Sequence, residues 1–192
     1  THNHSMTRAL GPPTLVPVPP TPFTTPAAIG AKDLVTAALP AEDLNQLLRT
    51  AAAYKADPAA WRLALAGRSI VLLFEKPSLR TRLTFEVGIF RMGGQALYYD
   101  HHGERVGQRE SIVDYARNLE RWTHGIVART YSHQTIELLA RHAAVPVINA
   151  LSDGHHPCQA LADVLTLVER FGSLRGRRVV YVGDGNNVAV SL

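Results

Sequence analysis

Four short stretches of the 192-residue chain hold side chains whose types and spacing could do chemistry. The first is Ser78-Leu79-Arg80-Thr81-Arg82, with two hydroxyls and two guanidinium groups in five residues. It follows the apolar run Ser69–Phe74 and opens a helical pattern. A helix N-terminus carries unpaired N–H groups and partial positive charge, so it can hold a phosphate. Ser78 and Thr81 would add hydroxyls there and Arg80 a formal charge, whereas the simpler alternative is a capped helix with Arg80 and Arg82 in solvent. The second stretch is Arg129, closing the apolar run Gly125–Ala128. It reaches the same crevice or lies on a surface loop.

The third stretch is His155-His156-Pro157-Cys158-Gln159 at the start of another helical pattern. Pro157 suits the first helical turn. A neutral imidazole there can donate to a polarised carbonyl, acting as an electrophile rather than a base, with Gln159 on the same side. The alternatives are a purely structural histidine and a zinc site of His155, His156 and Cys158, which lacks a second Cys/His cluster. The fourth stretch, Gly183-Asp184-Gly185-Asn186-Asn187, begins like a dinucleotide fingerprint but lacks its third glycine. Asn187 could instead bind a carboxylate or an amine.

These stretches sit at the ends of regular elements. Leu44, Leu47, Leu48 and Ala51 repeat at i, i+3, i+4, i+7 and predict a helix over 41–56. Strands are predicted at 69–74, 96–99, 125–128, 145–149 and 178–182. Helices are predicted at 79–92 (Leu83, Val87 and Phe90 on one face), 110–122, 134–143 and 158–170. Short apolar strands alternating with helices predict an α/β fold, a doubly wound parallel sheet with helices on both faces. Ligands of such folds bind beyond the carboxyl ends of the strands, where the four stretches fall. Residues 1–31 hold seven of the twelve prolines and read as an unfolded N-terminal segment. They contain no apolar core of a signal peptide.

Composition narrows the ligand. The hydrophobic fraction of 46% and charged fraction of 19% exclude a disordered or coiled-coil chain. No apolar run approaches the roughly 18 residues of a membrane span. One cysteine excludes a disulfide framework and suits a cytoplasmic location. Of the 20 basic residues 17 are arginine, against 16 acidic residues. Guanidinium forks bind phosphate and carboxylate in bidentate fashion. The arginines are dispersed, without the dense basic run of a nucleic-acid surface, so the partner reads as an anionic small molecule.

Phe74-Glu-Lys-Pro-Ser-Leu-Arg-Thr-Arg82, followed by Leu-Thr-Phe-Glu86, resembles the carbamoyl-phosphate signature of the aspartate and ornithine carbamoyltransferases. His156-Pro-Cys-Gln159 resembles the second signature of the ornithine enzymes, and Gly183–Asn187 the opening of their ornithine-binding domain. The three motifs occur in order, about 75 and then about 25 residues apart. The resemblance implies transfer of a carbamoyl group from carbamoyl phosphate to the ornithine δ-amino group, with no metal or organic cofactor. It assigns Ser78, the Leu79 backbone, Arg80 and Thr81 to the phosphate. Arg129, His156 and Gln159 fall to the phosphate and carbamoyl oxygen, and Asn187 to ornithine. It further implies a homotrimer whose Arg105 loop reaches a neighbour's site. The family usually has a small polar residue or His where Arg105 stands, and commonly Thr where Tyr115 stands. On this reading 32–172 is a carbamoyl-phosphate-binding domain. Residues 173–192 are the first strand and turn of a truncated ornithine-binding domain, and the chain is inactive alone. A non-catalytic anion-binding module and an aspartate or acetylornithine carbamoyltransferase are the rival expectations.

Overall fold

The computed structural model describes residues 32–101 and 104–192. The expected unfolded segment 1–31 lies outside the described residues. The elements in chain order are α1 (Ala41–Ala56), a 3-10 turn (Pro58–Trp61), β1 (Ser69–Phe74), α2 (Leu79–Arg91), β2 (Gln95–Asp100) and α3 (Ile112–Trp122). They continue with β3 (Gly125–Arg129), α4 (His133–His142), β4 (Val147–Leu151), α5 (Pro157–Phe171) and α6 (Asn187–Ser191).

The four strands form one parallel sheet in the order β2-β1-β3-β4. Both faces are covered, because alternate residues of β1 enter different cores. Val71 and Leu73 pack with Ala116 of α3 and with Ile136 and Leu139 of α4. Leu72 and Phe74 pack with Ile89 of α2 and Ala150 of β4, with Phe85 alongside. Two-sided burial explains the unbroken apolar run of β1. Leu34 adds a bridge outside β4, its N–H donating to Val147 O at 2.9 Å.

Local chemistry fixes the element ends. Helix α3 starts at Ile112, two residues later than predicted, because Ser111 Oγ accepts from Asp114 N at 3.1 Å and caps it. Strand β4 runs two residues later than predicted. Pro146 has no N–H to give a ladder, and pairing begins at Val147 opposite Ile126. Gly172 ends α5 with φ of 73°, a conformation that favours glycine.

Two expectations need correction. Residues 178–182, expected as the first strand of a second α/β domain, form no strand. No described strand pairs with them, and Val180 and Val182 are 80% and 90% exposed, so the β-branched run lacks the ladder and the packing that make a strand stable. The Leu83, Val87 and Phe90 stripe of α2 also faces outward, with Phe90 78% exposed. The helix buries Ile89, with Phe85 alongside, against the sheet instead.

Candidate functional site

Strand β1 lies at the sheet's topological switch point, with β2 on one side and β3 on the other. The crevice between such divergent crossovers opens beyond the carboxyl ends of the strands, and polar ligands collect there. Two of the four sequence stretches border this crevice, one after β1 and one at the end of β3.

Ser78 is the N-cap of α2, yet its side chain makes no capping hydrogen bond. The hydroxyl is therefore not spent on the helix. Arg80 is exposed in the first turn. Arg82 points elsewhere: its Nε donates to Glu86 Oε1 at 2.9 Å, and its guanidinium lies 3.6 Å from the centroid of the Tyr98 ring. Thr81 faces β3, where Arg129 Nη1 donates to its Oγ1 at 3.4 Å. Arg129 Nε is buried without a hydrogen-bond partner among the described residues. Burial lowers the Arg129 pKa, but guanidinium stays charged. A half-buried cation with a buried, unpaired Nε donor beside a helix N-terminus favours an anion.

The third stretch reaches the same charge. His156 is the N-cap of α5, with Pro157 at the first helical position. Its Nδ1 is buried without a partner among the described residues. Burial, and next the Arg129 charge, push its pKa below 6.5, with Asp163 acting the other way. The shift favours the neutral imidazole, which keeps one ring N–H to donate to a carbonyl oxygen. Gln159 is exposed, and its Nε2 donates to Asp163 Oδ1 at 2.9 Å. Cys158 Sγ donates to Asn149 O at 3.5 Å, and no group of three metal-binding side chains assembles among the described residues. Asn187 opens α6 and its Nδ2 donates to Ser152 O at 2.7 Å, which ties the fourth stretch to the third.

The Arg105 guanidinium lies 5.1 Å from the Tyr131 ring centroid, with Lys76 Nζ 4.4 Å from the same ring. It also lines a cavity of about 170 Å³ with Tyr99, His101 and Tyr115.

Sequence reasoning missed Glu75. This residue is 4% exposed, and its carboxylate accepts from Val106 N at 2.7 Å and from Tyr131 N at 2.6 Å. It thereby joins the segments that follow β1, β2 and β3. An acid directly after four buried apolar residues was the available signal. Ser152 was missed as well. Its Oγ lies 2.8 Å from His133 Nδ1 and accepts from His155 N at 3.2 Å, bracing the turn before His156.

Fold and site together define a doubly wound parallel α/β domain with its polar side chains gathered at the switch point. Residues 32–169 match the carbamoyl-P binding domain of aspartate/ornithine carbamoyltransferase. The chain is 56% identical over 151 residues to an ornithine carbamoyltransferase of Shewanella oneidensis, covering 79% of this chain and 50% of that one. The crystal structure of ornithine carbamoyltransferase from Thermus thermophilus superposes with a TM-score of 0.78 at 51% identity, over 84% of this chain and 56% of that one. The enzyme from Pyrococcus furiosus gives 0.76 at 45% identity, over 83% and 52%. The chain belongs to the aspartate/ornithine carbamoyltransferase family, a family of transferases, and carries its carbamoyl-phosphate-binding part. It spans about half the length of the curated relatives it matches. Among the described residues no helix is long and apolar enough to cross a membrane.

Proposed function

We propose that this chain contributes the carbamoyl-phosphate half of an ornithine carbamoyltransferase, which moves the carbamoyl group of carbamoyl phosphate to the δ-amino group of ornithine and yields citrulline and phosphate. The observation that carries the reading is the meeting of Arg129 with Thr81 at the β1/β3 crevice, beside a His156 whose pKa is lowered first by burial and then by that arginine. In this reading Ser78, the Leu79 N–H, Arg80 and Thr81 hold the phosphate at the α2 N-terminus, where the helix dipole favours an anion.

Arg129 and neutral His156 donate to the carbamoyl oxygen. Attack by the amine places negative charge on that oxygen, and preorganised donors stabilise the charge more than they stabilise the ground state. Gln159 can reach the same group once its amide leaves Asp163, a surface contact. Asn187 keeps its Nδ2 on Ser152 O and offers Oδ1, an acceptor, to the ornithine amine. Residues 32–172 form the carbamoyl-phosphate domain, and 173–192 begin the ornithine domain.

The exposed Leu83, Val87 and Phe90 stripe supports assembly, since an apolar face of this kind is covered in a stable oligomer. We assign a homotrimer in which Arg105 serves a neighbouring subunit's phosphate, and a cytoplasmic location. Citrulline production by the intact enzyme from carbamoyl phosphate and ornithine tests the reading. Equal activity with aspartate or acetylornithine, or none with ornithine, would refute the substrate assignment.

A further inference from the structure

The loop that presents His156 is tied to α6 at two points. Ser191 is a buried polar residue, 9% exposed, and its Oγ accepts the His156 N–H at 2.9 Å. The same hydroxyl donates to Asn187 O at 2.8 Å, so both of its hydrogen-bonding roles are used and its orientation is fixed. One turn earlier on α6, Asn187 Nδ2 donates to Ser152 O at 2.7 Å. On the far side, His133 of α4 braces Ser152 Oγ at 2.8 Å.

We propose that Ser191 is a positioning residue for carbamoyl transfer, acting through the backbone of His156; the proposal rests on the function proposed above. Pro157 holds the first helical residue at the φ its ring dictates, and His156 at φ −137° and ψ 69° is the joint between loop and helix. The His156 side chain makes no capping bond that would orient it locally. Rotation of the peptide between His155 and His156 therefore sets where the imidazole points; Ser152 N holds this peptide's carbonyl at 2.9 Å, and the Ser191 hydroxyl pins its N–H. Since Ser191 and Asn187 share one helical turn, the element carrying the ornithine contact also aims the carbonyl-polarising donor. The phosphate donors at Ser78–Thr81 belong to a different element and do not depend on this tie.

The test compares Ser191→Ala, Ser191→Cys and Ser191→Thr in the intact enzyme, with thermal unfolding as the check on folding. A misplacement of about 1 Å costs on the order of 100-fold in rate, so a few tenths of an ångström predicts about a tenfold fall in kcat for Ser191→Ala. KM for carbamoyl phosphate is expected to stay within about twofold, and Ser191→Thr, which keeps the hydroxyl, to recover most of kcat. The His156 amide is expected to exchange faster in Ser191→Ala. If Ser191→Ala does not fold, Ser191→Cys, which keeps the volume with a weaker acceptor, is read the same way. Wild-type enzyme that makes citrulline, together with an unchanged kcat in the folded variant, would overturn this proposal alone. A rise in KM together with a fall in kcat that Ser191→Thr does not relieve would overturn it too. Wild-type enzyme that makes no citrulline would overturn the carbamoyltransferase reading and this proposal with it.

Discussion

Replacing Glu75 tests how the crevice is held together. Its carboxylate accepts two backbone hydrogen bonds, from Val106 N at 2.7 Å and Tyr131 N at 2.6 Å, in a residue that is 4% exposed. A hydrogen bond to a charged group contributes about 1.5–3 kcal/mol net, and a buried N–H left unpaired costs about 1–3 kcal/mol. Glu75→Gln keeps one acceptor oxygen but turns an NH2 toward the other N–H, so one bond is lost and a donor faces a donor. The expected destabilisation is about 2 kcal/mol. Glu75→Ala removes both acceptors, and because the Tyr131 amide is only partly buried the expected cost is about 3 kcal/mol. Urea unfolding measures both, with the midpoint falling and the slope unchanged. Amide exchange at Val106 and Tyr131 is expected to accelerate while exchange in α4 stays protected. A loss below about 0.5 kcal/mol for Glu75→Gln, the range of ordinary surface substitutions, would refute the bridging role.

Arg129→Ala is expected to weaken carbamoyl-phosphate binding about 10- to 100-fold, measured by calorimetry or thermal shift. Arg82→Ala is expected to leave that affinity unchanged, because its guanidinium is occupied by Glu86 and Tyr98. His101, His133 and His156 all have pKa values lowered below 6.5, with burial the largest cause in each. The unfolded chain therefore binds more protons than the folded one as pH drops through 6.5, and the urea midpoint is expected to fall between pH 7.5 and 5.5. A flat or rising midpoint would contradict their burial as neutral rings. Burial pushes the Cys158 thiol to about 11, so iodoacetamide at pH 8 is expected to label it slowly in the folded chain and quickly in urea.

Local signals exposed most of the fold in the sequence. The apolar runs at Ser69–Phe74 and Gly125–Ala128 and the proline at position 157 mark elements whose ends chain chemistry fixes by itself. What stayed hidden depends on partners elsewhere. The valines at 179, 180 and 182 have strand composition but no neighbouring strand among the described residues to complete a ladder. The outward face of α2 follows helical spacing as well as the buried one does, so periodicity could not say which side meets the sheet. Within the proposed site, Arg80, Arg129 and His156 stand out in the sequence because residue type and strand-end position mark them. Glu75, Ser152 and Ser191 do not, since each acts on backbone groups 3 to 56 positions away, and no residue type announces such a partner.

The strand order has a kinetic consequence. The bonds that complete the crevice close long loops: Thr81 to Arg129 spans 48 residues, and Glu75 to Tyr131 spans 56. Each closure costs chain entropy that grows with the logarithm of its length, and none can form before β3 has docked beside β1. An anion binding there thus recognises only the finished domain. It will leave the refolding rate nearly untouched and act as a latch, lengthening the lifetime of the native state by slowing unfolding.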